Sequence, residues 1–318
     1  MKAPKILLSS LSSKIALYDS VLRQAKFFNN NSSVIGADCN PNCPGAHIVK
    51  RFKMLPPLIH LNDNELLNLL LAWGITHILP TRDGELKYWA DKATLLLDHR
   101  IKVLISSSDT IRLCEDKFLF SEKITGSSIR VIPSFNSFPL SKYEKWVVKE
   151  RRGSGTVKTT VGVDRNSALK FASNLSEPIF QPYISGREFS ADAWINKKGE
   201  IPGVTLRWRD KVLNGESHIS TTFENYKWAE KIKDLFKSIH GLYGHCLGQF
   251  IVDRNDILNL IEINPRLGGA SPLSLNTGLN SIMWSLQEET YTGSFYPIFD
   301  PIYGARLTKI EDQVFISL

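Results

Sequence analysis

The stretch QFIVDRNDILNLIEINPRLGG, residues 249–269, constrains the fold more than any other part of the chain. Two apolar runs flank a polar DRND, the pattern of an antiparallel hairpin. In the second run Glu262, Asn264 and Arg266 stand two apart, so a strand turns all three to one face. With the turn centred between Asn255 and Asp256, Gln249 lies opposite Glu262, Ile251 opposite Leu260 and Asp253 opposite Leu258. Directly opposed residues share a face, so Gln249, Glu262 and Asn264 are expected to converge, with Arg266 at the end of the strand. Grouped oxygen donors of this kind suit Mg²⁺, which keeps substrate phosphates and waters in its shell. An arginine beside them suits a phosphate, because its fork holds two oxygens. The bland alternative is a satisfied polar face on a solvent-exposed strand. The placement of Glu262 between Ile261 and Ile263, ahead of NPRLGG, makes that alternative less common, and both readings stay open on the local pattern.

A chain of 318 residues buries a sizeable core and is expected to fold as two or three lobes. No run approaches the roughly 18 apolar residues needed to span a bilayer. The opening MKAPKILLSSLSSKIALYDS has one short apolar run followed by polar residues, which does not read as a signal peptide. A cytoplasmic protein without a membrane partner is therefore expected. The net charge of +7 invites anionic ligands. Its dispersion, with only short clusters at 149–152 and 227–237, argues against nucleic acid as the partner. Cys39, Cys43 and His47 are evenly spaced, but structural zinc wants a second ligand pair, so the region reads as a Pro/Asn-rich loop. Four cysteines without paired spacing fit a reduced compartment.

Strand and helix signals alternate over the first hundred or so residues. KILLSS, SSVIGADCN, ITHILPT and IKVLIS read as strands; KIALYDSVLRQAKFF, NDNELLNLLLAWG and DGELKYWADKATLLLDHR read as helices. Alternation of this kind predicts a parallel α/β sheet. The turn after the first strand, SSLSSK, lacks the glycines of a dinucleotide-binding loop, so this lobe is Rossmann-like in build without that ligand. The character changes from about residue 113. CEDKFLFSEKI reads as a helix, KWVVKE and EPIFQPYI as strands, and REFSADAWINKKGEIPGVTLRW as a hairpin turning near Lys198-Gly199. A helix over ENYKWAEKIKDLFKSIHG precedes the final strand pair, and hairpins with interspersed helices mark an α+β region.

Two further segments carry chemistry. In VVKERRGSGTVKTT an apolar strand delivers Lys149 to a small-residue loop, Gly153-Ser154-Gly155, whose backbone N–H groups can approach phosphates. In IFQPYISGREFSADAW, Gln181 ends an apolar run, Pro182 interrupts the ladder, Gly186 permits a bend and Glu188 opens another strand. That turn can read a base and a ribose, or it can be an ordinary inter-strand loop.

EDKFLF, VVKERRGSGTV, QPYISGREFSADAW and GQFIVDRNDILNLIEINPRLGG, in this order, resemble the ATP-grasp superfamily, especially members similar to the carbamoyl-phosphate synthetase large subunit. The resemblance covers most of the chain, with its motifs between Asp116 and Gly269. It implies a Rossmann-like lobe at 1–112, a small nucleotide-clamping lobe at 113–187 and a large lobe at 188–318 with the metal and phosphate site. It implies ATP and two Mg²⁺ ions, for which Mn²⁺ can substitute. Lys117 and Lys149 would contact the nucleotide, residues 153–156 would close over its phosphates, and Gln181 with the backbone near Tyr183 and Ile184 would read the adenine. Glu188 would bind the ribose. Gln249 and Glu262 would hold one ion, Glu262 and Asn264 the other, and Arg266 would steady the transferred phosphate. Departures are Gln181 where the family often has Glu, a short RRGSGTVKT loop, and the glycine-free SSLSSK.

The activity implied is ligation of a carboxylate to an amine through an acyl phosphate, with an amino acid or a similar small carboxylate as one substrate. Arg207 and Arg209 share a strand face, and Arg207 is the candidate to hold the substrate carboxylate or acyl phosphate. Gly269, in GGAS, offers an N–H beside the reacting centre. Asp83 stands after an N-terminal strand, where it can cap a helix or meet an ammonium group. The alternative from another class is a catalytically silent ATP-binding or regulatory protein on the same fold. The assembly can be a homodimer.

Overall fold

The computed structural model describes residues 3–125, 128–140, 143–153, 158–290 and 297–310. The chain opens with a five-stranded sheet made of β1 (Lys5–Leu8), β2 (Ser33–Asp38), β3 (Phe52–Met54), β4 (His77–Leu79) and β5 (Lys102–Val103). Its order is β3-β2-β1-β4-β5, and every pairing is parallel. The crossovers carry α1 (Ile15–Phe28), α2 (Pro44–Ile48), α3 (Asp63–Ala72) and α4 (Asp83–Asp98). Central strands covered on both sides need apolar residues at successive positions, which is why Ile6, Leu7 and Leu8 are all fully buried. α3 begins with a capping box between Asn62 and Glu65. α2 occupies part of the segment expected to be loop, with Cys43 buried ahead of it and Cys39 exposed.

The helix expected over CEDKFLFSEKI is two helices, α5 (Ser108–Glu115) and α6 (Lys117–Lys123), broken at Asp116. Asp116 has extended backbone angles, and its carboxylate caps α6 by accepting from the Leu119 N–H at 3.0 Å. The short strand β6 (Arg130–Val131) follows. A three-stranded antiparallel sheet is then built from β7 (Trp146–Glu150), β8 (Thr159–Val163) and β9 (Pro178–Pro182), in the order β8-β7-β9. α7 (Arg165–Ala172) packs on it through Ala168 and Ala172, against Trp146, Val148 and Phe180.

The largest sheet contains β10 (Gly186–Ile195), β11 (Val204–Leu213), β12 (Glu216–Phe223), β13 (Gly244–Asp253), β14 (Leu258–Asn264) and β15 (Arg306–Thr308). With β6 at one edge its order is β15-β12-β11-β10-β13-β14-β6. The segment 206–221 is thus itself a long hairpin, β11–β12. One face of the sheet is apolar: Phe189, Leu206 and Phe250 meet Trp228, Ile232, Leu235 and Phe236 of α8 (Tyr226–Ser238). The other face is polar. Arg207 pairs with Ser190, Ser190 with Gln249, and Gln249 with Glu262, so the four lie in one row across four strands. After β14, α9 (Ser271–Asn276) and α10 (Ser281–Glu288) return to the first lobe, where Leu275, Ile282 and Leu286 join Ile6, Leu8, Leu17 and Val21 in one cluster. Gln24 fixes that seam, donating to Leu275 O at 2.8 Å and accepting from the Ile282 N–H at 3.0 Å.

The register of the β13–β14 hairpin differs from expectation near its turn. Ile251 pairs with Asn259 and Val252 with Leu258, whereas Gln249 does pair with Glu262. The turn is centred on Asn255 rather than after it: Asp256 takes a φ of 59°, and Asp253 N–H bonds Ile257 O at 3.1 Å. Asp253 Oδ1 stabilises this tighter loop by accepting from the N–H groups of Asn255 and Ile257. A bulge at Ile261 then absorbs the extra residue. A one-residue slip reverses every side chain. Without the bulge Glu262 would sit in the register of Gly248 and point into the aromatic core.

Gly186 does not serve as a bend. It is the first residue of β10, paired with Asp253, and a Cβ there would stand 2.2 Å from the Val252 carbonyl oxygen, so the close approach of β13 requires glycine.

Candidate functional site

The bulge brings three predicted metal ligands together. Glu262 Oε1 accepts from Gln249 Nε2 and from Asn264 Nδ2, each at 2.9 Å. A half-turn of either amide about its last bond replaces the N–H₂ by an oxygen at almost the same point. The row therefore fits a hard cation with one carboxylate and two amide oxygens. Among the described residues no group of three or more His, Cys, Asp and Glu gathers elsewhere to compete for it.

Lys149 faces this row from β7 of the smaller sheet. Burial pushes its pKa from 10.5 down to about 8, against the pull of Glu262, while Lys117 adds to the drop and Glu188 resists it. A cation held out of water beside carboxylates is suited to a phosphate. Lys117 Nζ donates to Gly153 O at 2.6 Å, tying α6 to the base of the small-residue loop. That base is also anchored by Asp116, whose carboxylate takes Arg151 Nε and Arg152 Nη2, both at 2.7 Å. Ser154, Gly155 and residue 156 lie outside the described residues.

Gln181 is buried at the end of β9 and donates to Ser134 Oγ at 2.8 Å. The Tyr183 N–H is engaged with Lys145 O at 2.9 Å, which leaves it unable to read a ring edge. The Ile184 N–H has no hydrogen-bond partner among the described residues and remains available in this turn. Glu188, on the polar face, accepts from Arg209 Nε at 3.2 Å, and Arg209 Nη2 reaches Gly215 O at 2.8 Å.

Arg207 is almost wholly buried, and its Nε donates to Asp192 Oδ2 at 2.5 Å. Asp192, with no exposed surface, also takes His245 Nε2 at 3.0 Å, Ser271 Oγ at 2.7 Å and Ser274 Oγ at 2.6 Å. Burial alone would raise the pKa of Asp192, but Arg207 and His245 hold it far below the usual carboxylate range. Arg207 Nη1, Ser190 Oγ and Thr205 Oγ1 are buried without hydrogen-bond partners among the described residues. All three occupy the polar face, Ser190 opposite both Gln249 and Arg207 and Thr205 opposite Asp192, and a buried donor there needs an acceptor.

Arg266 lies past the end of β14 and forks onto both carboxylate oxygens of Asp83. Asp83 is the first residue of α4, not its cap; Arg82 holds that position. The contact joins the first lobe to the metal end of the large sheet. Beyond it a Cβ on Gly269 would stand 3.2 Å from Lys309 Nζ, which pairs with Glu216 at 2.6 Å.

Residues 114–270 match the family described as ATP-grasp domain. That stretch of the chain is an ATP-grasp domain. Solved ATP-grasp structures share the fold at low identity. One is the biotin carboxylase domain dimer of Hydrogenobacter thermophilus 2-oxoglutarate carboxylase with MgADP, ADP and bicarbonate, at 17% identity and a TM-score of 0.72 over 95% of this chain and 73% of that one. Another is N5-carboxyaminoimidazole synthetase from Staphylococcus aureus with ADP, at 16% identity and a TM-score of 0.69 over 94% of this chain and 80% of that one. L-amino acid ligase from Bacillus licheniformis aligns at 14% identity and a TM-score of 0.67 over 89% and 73% of the two chains. No curated protein matches by sequence. The architecture is a Rossmann-like lobe followed by α+β ATP-grasp lobes. Among the described residues no helix is long and apolar enough to cross a membrane.

Sequence reasoning did not single out Asp116 as an anchor, nor Asp192. The second carries a readable signal: an aspartate inside the apolar strand FSADAW must find a partner.

Proposed function

We propose that this chain is an ATP-dependent carboxylate–amine ligase working through an acyl phosphate. The observation that carries this reading is the convergence of Gln249 and Asn264 on Glu262, with Lys149 facing them. Structural neighbours that hold MgADP or ADP on the same fold support ATP and Mg²⁺ as cofactors. Phosphoryl transfer asks the protein for positioning and charge neutralisation more than for a covalent group. Metal ions held by Gln249, Glu262 and Asn264 would neutralise phosphate oxygens, a role that Mn²⁺ can also fill.

The residues divide the remaining work. Lys149 and Lys117 bind the nucleotide phosphates, the loop 153–156 excludes water, and the turn at Gln181–Ile184 takes the adenine through the Ile184 N–H. Glu188 takes the ribose. Arg266 steadies the phosphoryl group as it moves to a carboxylate oxygen, giving ADP and an acyl phosphate. The amine nitrogen then attacks the acyl carbon: the C–N bond forms, the bond from that carbon to the phosphate oxygen breaks, inorganic phosphate leaves with the electron pair, and the amine loses a proton to solvent. Arg207, with Nη1 free, holds the substrate carboxylate. Arg209 and the Gly269 N–H border the same space. In this scheme residues 1–112 contribute to the substrate side, 113–187 clamp the nucleotide, and 188–318 carry the metal site.

The test is release of ADP and phosphate from Mg-ATP with pooled carboxylates and amines, beside Glu262→Ala. Release that depends on one acid pool and disappears in the variant supports the ligase. Saturable Mg-ATP binding with no release from any pool favours a silent nucleotide-binding protein.

A further inference from the structure

The SSLSSK turn after β1 has no part in the scheme above, yet a set of hydrogen bonds holds it in place. β1 lies where the strand order reverses, with β2 on one side and β4 on the other. Open α/β sheets bind ligands outside the carboxyl ends of the strands at such a point. Glu85, almost fully buried, holds the two loops there together. Its carboxylate takes Ser9 Oγ and Ser10 Oγ, each at 3.0 Å, the N–H groups of Thr81 at 2.9 Å and Arg82 at 3.1 Å, and Trp89 Nε1 at 3.3 Å. Asp38 takes the Ser12 N–H at 2.8 Å. Ser10 and Ser12 have φ of 51° and 48°, a conformation that residues with a Cβ adopt at a cost and that clusters at ligand sites.

The loop delivers Lys14, half-buried, with Nζ donating to Ser10 O at 2.5 Å. Burial lowers its pKa, with Glu85 and Asp38 opposing and Arg266 and Arg82 reinforcing the drop. Lys14 also acts on Glu216 from the large lobe. The acids around it are already committed. Glu85 is saturated by hydrogen bonds, Asp83 is forked by Arg266, Glu216 holds Lys309, and Asp38 takes the N–H groups of Ser12 and Asn40. Lys14 and Arg82 have no ion-pair partner among the described residues, and both border the Arg266 end of the phosphoryl-transfer site.

We propose that Lys14 and Arg82 bind a second anionic group on the acid substrate, so that the acid activated here is a dicarboxylate or a carboxylate bearing a phosphate. This rests on the ligase reading for the fate of the first carboxylate. The first group lies by Arg266 and Arg207, and the second enters the switch-point crevice, where the rigid serine loop sets its distance. A simple monocarboxylate leaves Lys14 and Arg82 unanswered.

The experiment is calorimetric titration of the full chain, with Mg-ADP present. The probes are C4–C6 dicarboxylates, acidic amino acids and phosphorylated hydroxy acids, each beside its singly charged analogue. The proposal expects at least one doubly charged acid to bind about tenfold or more tighter than its analogue. Lys14→Met and Arg82→Met should each remove about that factor, the range of a charge-assisted hydrogen bond, and Lys14→Arg should restore part of it. The carboxylate and phosphate arms separate the two kinds of second anion. No preference for any doubly charged acid, or equal binding by Lys14→Met, overturns the proposal. ADP release is read separately. Selective binding without release counts against the ligase reading and leaves the subsite standing, whereas release with singly charged acids preferred does the reverse.

Discussion

Replacing Lys149 by Met should stabilise the ligand-free protein while weakening its grip on ATP. The ammonium is buried, and that burial lowers its pKa from 10.5 to about 8. A fall of that size corresponds to about 3 kcal/mol of preference for the neutral form. At pH 7 the folded and unfolded chains both carry the proton, so the folded state bears the whole penalty. Between pH 8 and 10.5 the folded state releases the proton before the unfolded chain does, and the penalty fades as pH rises. Methionine keeps the length of the stem without the charge. Urea midpoints of wild type and Lys149→Met should therefore differ most at pH 7, in favour of the variant by up to about 3 kcal/mol, and by about 1 kcal/mol at pH 9.5. Mg-ATP affinity should fall about tenfold or more, the loss of a charge-assisted hydrogen bond to phosphate. A variant that is less stable at pH 7, or a difference that stays flat to pH 9.5, refutes the argument.

Other substitutions probe the rest of the site. Gln249→Glu sets a second carboxylate against Glu262, so the apo protein should lose about 1 kcal/mol, and millimolar Mg²⁺ should restore more stability to it than to wild type, as melting curves would register. If Mg²⁺ stabilises both proteins equally, the row does not hold the cation. Asp192→Ala leaves Arg207 charged and buried without its partner, at a cost of about 3–5 kcal/mol, and adding Arg207→Met should recover much of that in a double-mutant cycle; additive losses would contradict the coupling. Gly186→Ala drives a Cβ into the Val252 carbonyl and should cost about 1–3 kcal/mol in urea unfolding, an effect that would be absent if β13 yields freely.

How far the sequence could be read depended on whether a feature was local. The parallel sheet, its main helices and the Gln249–Glu262 pairing follow from periodicity, because apolar spacing decides which face is buried. The turn at Asn255 and the bulge at Ile261 were not legible. Each shifts the register by one residue and the shifts cancel, so the metal face survives an incorrect account of the turn. The break at Asp116 was hidden because a helical spacing continues through it; the reason for the break, Arg151 and Arg152, lies far along the chain, just past the end of β7. The Arg266–Asp83 contact joins residues from separate lobes, and nothing in either local sequence announces the other. For Asp192 the need for a partner was readable, although which partners it finds was not.

Two kinds of charge share this site, and the difference bears on how it works. Arg266, Arg207 and Arg209 each have a carboxylate in the ligand-free protein, namely Asp83, Asp192 and Glu188, and Glu262 is met by two amides. Groups held in this way are already oriented, and an incoming phosphate or metal exchanges one partner for another instead of ordering a mobile side chain. Lys149 and Lys14 stand apart, being partly or wholly removed from water with no ion-pair partner among the described residues. Their desolvation is a cost to the empty protein that an anion removes on binding. If the paired arginines set geometry and the unpaired lysines select for negative charge, removing a lysine should alter affinity with little effect on the rate at saturation. Removing a carboxylate behind an arginine should lower the rate itself, because the guanidinium loses its aim while its charge remains.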